Sequence, residues 1–337
     1  KITSRLLGAL SSLPAKFGGL LFRLFRRLYY DSEWAVTFLV NARAKALCFD
    51  HVMPSLYVVN PLLEAAKRLS IPSIALPHGV YLYTNEDTKP KSTESRKVSK
   101  FNQYDYIVVP NQLRKSVLEN AGVEGKKIFV LGSARYCREW MEVNKRILRK
   151  KMSPVGGDGF KIVFMPSKPQ CKVDMQRLNK TLEILKRTKD AQILVKPHTR
   201  AAFDQRRFSG TGIVDASRIL SAELCEWSDA VLVIGSSIIT EALVIGKPAL
   251  YLKYLHANTT FFEETGACWV INNEAELEYA LSSLKKDRRA LPYRNENVVQ
   301  YISEVVHGRG NDENVLGRYV SFIETCSAAG LPHPTPA

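Results

Sequence analysis

Small polar residues between an apolar run and a helical pattern form the densest chemical signal in the chain. The segment is Gly235-Ser236-Ser237, and a carboxylate, Glu241, follows about one helical turn later. Backbone N–H groups at the start of a helix bind anions, and a glycine lets a phosphate approach the backbone closely. A carboxylate accepts hydrogen bonds from paired hydroxyls such as those of a ribose. The spacing therefore predicts a nucleotide pocket; the alternative is a helix-capping serine with an exposed glutamate.

Further phosphate-binding groups follow the two preceding apolar runs in the same half of the chain. These hydroxyl, ammonium, imidazole and guanidinium groups belong to Ser167 and Lys168 after one run, and to Lys196, His198 and Arg200 after the next. Such donors bind phosphate oxygens and stabilise the negative charge that develops on a leaving phosphate. Each residue alone would be an ordinary solvated side chain. Three successive runs that end in such groups predict one shared site.

A histidine in the first half of the chain, His78, lies directly after an apolar run and directly before Gly79. The glycine removes side-chain bulk beside the imidazole, whose ordinary pKa suits proton removal near neutral pH. Asp50 and His51 follow an earlier apolar run and could supply a second acid or base, or a carboxylate that orients His78. We predict catalytic roles for His78, Asp50 and His51; the alternative for each histidine is a structural role.

Apolar runs alternate with helical patterns along both halves of the chain, which is typical of βα units in parallel sheets. The predicted strands are Ala46–Phe49, Ser73–Leu76, Tyr106–Val109 and Lys127–Leu131, then Lys161–Met165, Gln192–Val195, Ala230–Ile234, Ala249–Leu252 and Cys268–Ile271. Helices are predicted between them and, after the last strand, at Glu274–Leu284, Glu296–Val306 and Glu313–Thr325. The fold class is therefore α/β, with two doubly wound, Rossmann-like domains facing a cleft. Ligands of such sheets bind beyond the carboxyl ends of the strands.

The 337 residues suit two domains of ordinary size. We assign residues 1–30 to a basic amphipathic segment, 31–152 to an N-terminal acceptor domain, 160–290 to a nucleotide-donor domain and 291–337 to C-terminal helices and a tail. The Pro- and Gly-rich segment Ser153–Gly159 is the predicted linker.

The six cysteines are far apart and lack metal-ligand spacing. Several, such as Cys48 and Cys268, lie in apolar stretches and are interpreted as core residues. This usage indicates a reducing compartment without a disulfide framework.

An excess of basic residues, 48 Lys and Arg against 33 Asp and Glu, gives a formal net charge of +15. Such a charge predicts an anionic partner: a nucleic acid, a membrane surface or a phosphorylated substrate. Residues 1–30 contain six cations among bulky apolar residues and no acid, which suits attachment to an anionic membrane surface. The alternative is a domain helix that packs its apolar side inward. No apolar run approaches the length of a membrane-spanning helix.

Several of these motifs resemble those of bacterial surface-polysaccharide glycosyltransferases and the related CDP-glycerol glycerophosphotransferases. The similar residues lie within 45–285 and are Pro77-His78-Gly79, Lys196-Pro197-His198, Ser236-Ser237, Glu241-Ala242 and Gly246-Lys247-Pro248. The nucleotide-binding half also resembles UDP-N-acetylglucosamine 2-epimerase, although it lacks that family's Gly-Gly step near Ser236. The resemblance implies the glycosyltransferase B (GT-B) architecture, with the donor's phosphate and nucleotide held by the histidine and serine motifs.

These motifs together predict a metal-independent glycosyltransferase that needs no cofactor beyond its CMP-, CDP- or UDP-linked donor. The expected acceptor is a cell-surface polysaccharide or a lipid-linked glycan, and the expected location is cytoplasmic, at the inner face of the membrane. Alternatives are a CDP-glycerol-type glycerophosphotransferase, an epimerase, or a basic nucleic-acid-binding protein. Nucleic acid is not an expected partner, because the chain has no recognisable nucleic-acid-reading module. No Walker loop, dinucleotide fingerprint or Asp-x-Asp metal motif occurs.

Overall fold

Two parallel β-sheets organise the chain in a computed structural model, which describes residues 29–50, 58–79, 98–148, 159–166, 173–198, 212–257, 259–308 and 314–329. His51, Ser167, Lys168, Arg200, most of the predicted linker and nearly all of the basic segment 1–30 lie outside these ranges. No helix within them combines the length and apolar character needed to cross a lipid bilayer.

Within the described ranges, the first sheet has four parallel strands in the order β1-β2-β3-β4. They are β1 (Leu47–Asp50), β2 (Ser73–Leu76), β3 (Tyr106–Val109) and β4 (Ile128–Val130), with helices α1 (Ser32–Asn41), α2 (Val59–Arg68) and α3 (Gln112–Asn120). The side chains of Asp31 and Asn111 accept hydrogen bonds from the first turns of α1 and α3 and so define where these helices begin. The chain therefore turns sharply into α3 beyond the carboxyl end of β3.

The second sheet, in the part of the chain that the structure describes, has six parallel strands in the order β10-β9-β8-β5-β6-β7. They are β5 (Phe160–Met165), β6 (Ala191–Val195), β7 (Ile213–Asp215), β8 (Ala230–Val233), β9 (Ala249–Leu252) and β10 (Trp269–Ile271). The helices are α4 (Arg138–Leu148), α5 (Met175–Arg187), α6 (Ser221–Trp227), α7 (Ile238–Val244), α8 (Phe262–Thr265) and α9 (Glu274–Lys286). The central strand β8 is buried on both faces, as expected for a parallel sheet covered by helices.

The C-terminal helices return to the first sheet. Helix α10 (Asn295–Tyr301) continues into a π-helical turn (Ile302–Val306), and α11 (Val315–Ala329) follows. Phe322 of α11 packs edge-on against Tyr106 of β3, with ring centroids 5.7 Å apart. Tyr319 donates a hydrogen bond of 2.8 Å to the backbone carbonyl of Gly132, just beyond β4. One buried cluster therefore contains side chains from both sheets and from α11.

Gly132 lies in a close backbone contact between the segment after β4 and the π-helical turn. Its φ is +89°, and a Cβ placed there would lie 2.5 Å from the backbone oxygen of Val306. The neighbouring Ser133 N–H donates to that same oxygen at 2.7 Å. A larger residue would clash with the backbone, so only glycine fits this contact between the two halves.

All nine predicted strands are present, and their ends differ from the predicted ends by no more than one residue. Strand β7 and helix α8 were not predicted, and the predicted helix Glu296–Val306 changes to a π-helical turn after Tyr301. The prediction that Cys48 is a core residue is wrong, because its side chain lies on the exposed face of the edge strand β1. Cys268 is buried, as predicted.

Candidate functional site

Asp50 and His78 meet at the carboxyl edge of the first sheet. The parallel register of β1 and β2 pairs Asp50 with Leu76, so the two side chains leave neighbouring strand ends. Nδ1 of His78 lies 2.8 Å from Oδ2 of Asp50, and both side chains are exposed to solvent. When Nδ1–H donates to this carboxylate, the lone pair of Nε2 is left available to accept a proton. The arrangement can therefore perform general base chemistry at Nε2.

A tight turn joins β8 to α7 on the second sheet. Gly235 has a φ of +44°, a left-handed conformation that favours glycine at this turn. The hydroxyl of Ser236 accepts a hydrogen bond of 3.4 Å from the N–H of Ile238. The hydroxyl of Ser237 accepts a bond of 2.8 Å from the phenol of Tyr136 and does not cap the helix. Ser237 therefore also joins α7 to the segment that follows β4.

Glu241 of α7 is buried, with only 6% of its surface exposed, so the alternative of an exposed glutamate is wrong. Burial raises the pKa of its carboxyl to about 7, an effect that the positive charge of Arg135 partly offsets. The negative charge of Glu226 raises the pKa further. A carboxyl with this pKa is present in both protonation states near neutral pH. It can therefore donate as well as accept hydrogen bonds.

The side chain of Lys196 already makes hydrogen bonds within the protein. Its ammonium group donates to the backbone carbonyls of Ser217 at 3.2 Å and Ile219 at 2.5 Å. Burial lowers the pKa of this group, and the carboxylates of Asp215 and Glu223 act in the opposite direction. A lysine has three donors, so these two bonds leave one for a ligand. Donor binding by Lys196 stays a prediction, whereas its contact with the segment after β7 is structural.

The predicted phosphate-binding segments follow three neighbouring strands. In the second sheet β5 lies between β6 and β8, and Met165 at the end of β5 pairs with Val233 of β8. The segments that begin after β5, β6 and β8 therefore leave the same sheet edge. Ser236 and Ser237 lie in the turn after β8, Glu241 lies about one helical turn further along α7, and His198 is exposed beyond β6. Ser167, Lys168 and Arg200 follow these strands in the sequence but lie outside the described residues.

A cavity of about 600 Å³ lies between the two halves of the chain. It is lined from the first half by Asn111, Gln112 and Leu113, and from the second by Phe261, Glu264, Thr265, Gly266, Asn297, Gln300, Tyr301, Glu304 and Val305. Sequence reasoning missed this cavity because its walls come from three segments far apart in the chain. It also missed Tyr301, whose hydroxyl lies 2.6 Å from that of Thr240 in α7. The cavity wall is thus bonded to the helix that carries Glu241.

No family model matches the chain, and no curated protein sequence matches it. Several solved structures match the chain in fold. A variant of the wall teichoic acid polymerase TagF aligns with a TM-score of 0.58 at 15% identity, over 86% of this chain and 74% of that one. The UDP-GlcNAc 2-epimerase from Methanocaldococcus jannaschii aligns with a TM-score of 0.59 at 16% identity, over 86% and 80%. The UDP-GlcNAc 2-epimerase from Neisseria meningitidis, solved with UDP-GlcNAc bound, aligns with a TM-score of 0.54 at 17% identity, over 81% and 79%. At these identities the likeness concerns the fold: the chain has the GT-B architecture of two Rossmann-like sheets, as predicted.

Proposed function

We propose that this chain is a metal-independent glycosyltransferase that takes a sugar from a nucleotide-activated donor. The observation that carries the proposal is that the segments after β5, β6 and β8, which hold the predicted serine and histidine ligands, leave neighbouring strand ends at one sheet edge. A hydrogen-bonded Asp50–His78 pair on the other sheet supplies a base of suitable chemistry. The fold is also one in which a solved relative holds UDP-GlcNAc.

In the proposed reaction, Nε2 of His78 removes the proton from an acceptor hydroxyl. The resulting oxygen nucleophile bonds to the anomeric carbon of the donor sugar, and the bond from that carbon to the donor phosphate breaks. The electron pair leaves with the nucleotide, whose developing charge is stabilised by Ser236, Ser237 and His198. The remaining donor of Lys196 and the side chains of Ser167, Lys168 and Arg200 are proposed to add to this stabilisation. Glu241 binds the ribose hydroxyls.

A CDP-glycerol-type glycerophosphotransferase is the second candidate, favoured by the similarity to TagF, one structure of which was soaked with CDPG. The same residues would serve, but the nucleophile would attack phosphorus instead of carbon. A 2-epimerase shares the fold as well and needs no acceptor. Formation of product without an acceptor therefore separates it from both transferases.

The proposed acceptor is a surface polysaccharide or a lipid-linked glycan, and the proposed location is the cytoplasmic face of a membrane. The positive net charge of +15 supports an anionic surface or substrate as partner. We do not propose nucleic acid as a partner.

The donor assignment is tested by thermal unfolding with CMP, CDP, UMP, UDP and GDP, with inorganic phosphate as the matched control. A ligand at 100 times its Kd stabilises the native state by about 2.7 kcal/mol, which corresponds to a Tm increase of several degrees. We expect one pyrimidine nucleotide to raise the Tm well above the effect of phosphate. Equal Tm values with all five nucleotides and with phosphate would contradict the proposal.

A further inference from the structure

The cavity between the two halves differs in charge from the rest of this basic protein. Its acidic side chains are Glu264 and Glu304, and no Lys or Arg is among the described residues that line it. The surrounding chain carries a net charge of +15. Carboxylates facing a cavity repel anions, so the lining disfavours phosphate groups.

The polar groups of the lining suit a ligand rich in hydroxyls. Asn111, Gln112, Asn297 and Gln300 contribute amides, and the carboxylates add further acceptors. Some of these atoms have partners within the protein: Oδ1 of Asn111 caps α3, and Nδ2 of Asn297 donates to the carbonyl of Gly266 at 3.1 Å. The amide nitrogen of Asn111 and the amide oxygen of Asn297 are the atoms that a ligand would use. Phe261 and Leu113 supply apolar surface. The volume of about 600 Å³ lies within the range of small-molecule sites.

The position of the cavity relates it to the proposed base. Its first-half wall, residues 111–113, begins just after the carboxyl end of β3. Strand β3 is the direct neighbour of β2, which ends before His78, and neighbouring strands lie about 4.8 Å apart. The other walls are residues 261–266, between β9 and β10, and residues 297–305 of α10 and the π-helical turn. One wall of the cavity therefore leaves the sheet edge that carries the proposed base.

We infer that this cavity is the acceptor subsite and that it binds an uncharged saccharide, not a phosphate-rich polymer. The inference rests on the proposed transferase function and narrows its acceptor to a neutral glycan. The hydrogen bond between Tyr301 and Thr240 fixes the cavity wall against the helix that carries Glu241. An acceptor sugar in the cavity would therefore contact a wall that is bonded to α7.

The test is ligand-observed NMR with three neutral disaccharides, lactose, maltose and N,N′-diacetylchitobiose, and with glycerol 3-phosphate as the anionic probe. The full chain is compared with Glu304→Arg, which places a cation in the cavity. Gln300→Ala is a milder second variant at an exposed position. The matched control is Glu278→Arg, an identical charge change at an exposed residue of α9 outside the cavity lining. Thermal unfolding of every variant shows whether the fold is retained.

We expect at least one neutral disaccharide to give saturation transfer with the wild type. Any signal of glycerol 3-phosphate, which the proposed donor edge can bind, should be unaffected by Gln300→Ala. Glu304→Arg and Gln300→Ala should each weaken the disaccharide signal at least fivefold, and Glu278→Arg should leave it unchanged. Binding of glycerol 3-phosphate that Gln300→Ala weakens would overturn the inference, as would sugar binding unaffected by both cavity variants or no sugar binding at all. The nucleotide Tm panel separates the two proposals. A positive panel with failed sugar binding contradicts only the acceptor subsite, whereas a negative panel contradicts the transferase itself.

Discussion

His78 and Asp50 form the pair on which the proposed proton transfer depends. The carboxylate of Asp50 lies 2.8 Å from Nδ1 of His78 and so favours the tautomer with an available Nε2. We expect His78→Ala to lower turnover by about 10²–10⁴-fold, the usual contribution of general acid–base catalysis. Asp50→Asn should also lower turnover, because an asparagine amide can donate to Nδ1 and so favour the tautomer in which Nε2 already carries a proton. Single-turnover kinetics, with a donor built on the nucleotide identified by thermal shift, measures both effects.

Two controls distinguish a base from a structural histidine. Donor affinity and Tm should be nearly unchanged in His78→Ala, because the side chain is exposed and belongs to the other sheet. Imidazole added to the buffer should restore part of the lost rate by replacing the missing base. Full turnover in the variant, or a loss explained entirely by unfolding, would rule out the catalytic role.

Ionisation of Glu241, a proposed donor-binding residue, is expected to make the free energy of unfolding depend on pH. Its carboxyl has a folded-state pKa of about 7 against an ordinary value of 4.5, so the folded state holds one extra proton between these pH values. The contribution of Glu241 to stability therefore decreases as pH rises from 4.5 to 7 and stays low above that range. Glu241→Gln cannot ionise, and we expect its stability relative to wild type to rise by about 3 kcal/mol across the window.

Urea unfolding of wild type and Glu241→Gln at pH 4.5, 6 and 8 measures this difference. Comparing the two chains is necessary because burial also lowers the pKa of His256 to about 4, which makes stability rise with pH below 6.5. That effect is common to both chains and cancels in the difference. A difference that does not change with pH would contradict the assigned environment of Glu241.

At the scale of secondary-structure elements, the C-terminal helix α11 packs against the first sheet. Phe322 is buried between Tyr106 and Phe129, with ring centroids 5.7 and 4.8 Å away. We expect Phe322→Ala to destabilise the protein by about 3–5 kcal/mol, the usual cost of removing a buried aromatic ring. Glu324→Ala, at an exposed position of the same helix, is the control and should cost less than about 0.5 kcal/mol. Chemical denaturation gives both values. A cost below about 1 kcal/mol for Phe322→Ala would contradict the claim that α11 stabilises the protein by packing on the first sheet.

Most strands were predictable because they are largely apolar runs bounded by polar or turn residues, as at Ala230–Val233. Strand β7 was not predicted because its apolar part is only Ile213-Val214, followed by Asp215. The exposure of Cys48 depends on β1 being an edge strand, which strand order decides and local sequence does not. Alternating burial along β1 turns that side chain away from the core.

The site was predictable to the extent that it lies at strand ends. The neighbouring segments after β5, β6 and β8 follow from the rule that ligands of doubly wound sheets bind beyond the carboxyl ends of strands. The bonds from Lys196 to Ser217 and Ile219, and from Tyr136 to Ser237, join residues 21 to 101 positions apart. No local pattern encodes such contacts. The segments that line the cavity are also far from one another in the sequence.

At the scale of the whole molecule, the positive charge is concentrated toward the N-terminus. Residues 1–30 contain six cations and no acid, and they remain the predicted contact with an anionic membrane. We expect deletion of these residues to abolish sedimentation with vesicles containing anionic lipids. Binding of the full chain should weaken as salt screens the attraction. Neutral vesicles are the control, and equal sedimentation with and without the segment would remove this prediction.

Nucleotide binding by the edge of the second sheet is the central claim, and calorimetry on matched variants tests it most directly. The variants are Ser236→Ala/Ser237→Ala and His198→Ala, with Ser282→Ala, an exposed position on α9, as the control. We expect each donor-edge variant to weaken the nucleotide found by thermal shift at least tenfold, about 1.4 kcal/mol, and the control to bind like wild type. Wild-type affinity in both donor-edge variants, with circular dichroism showing an intact fold, would contradict the account.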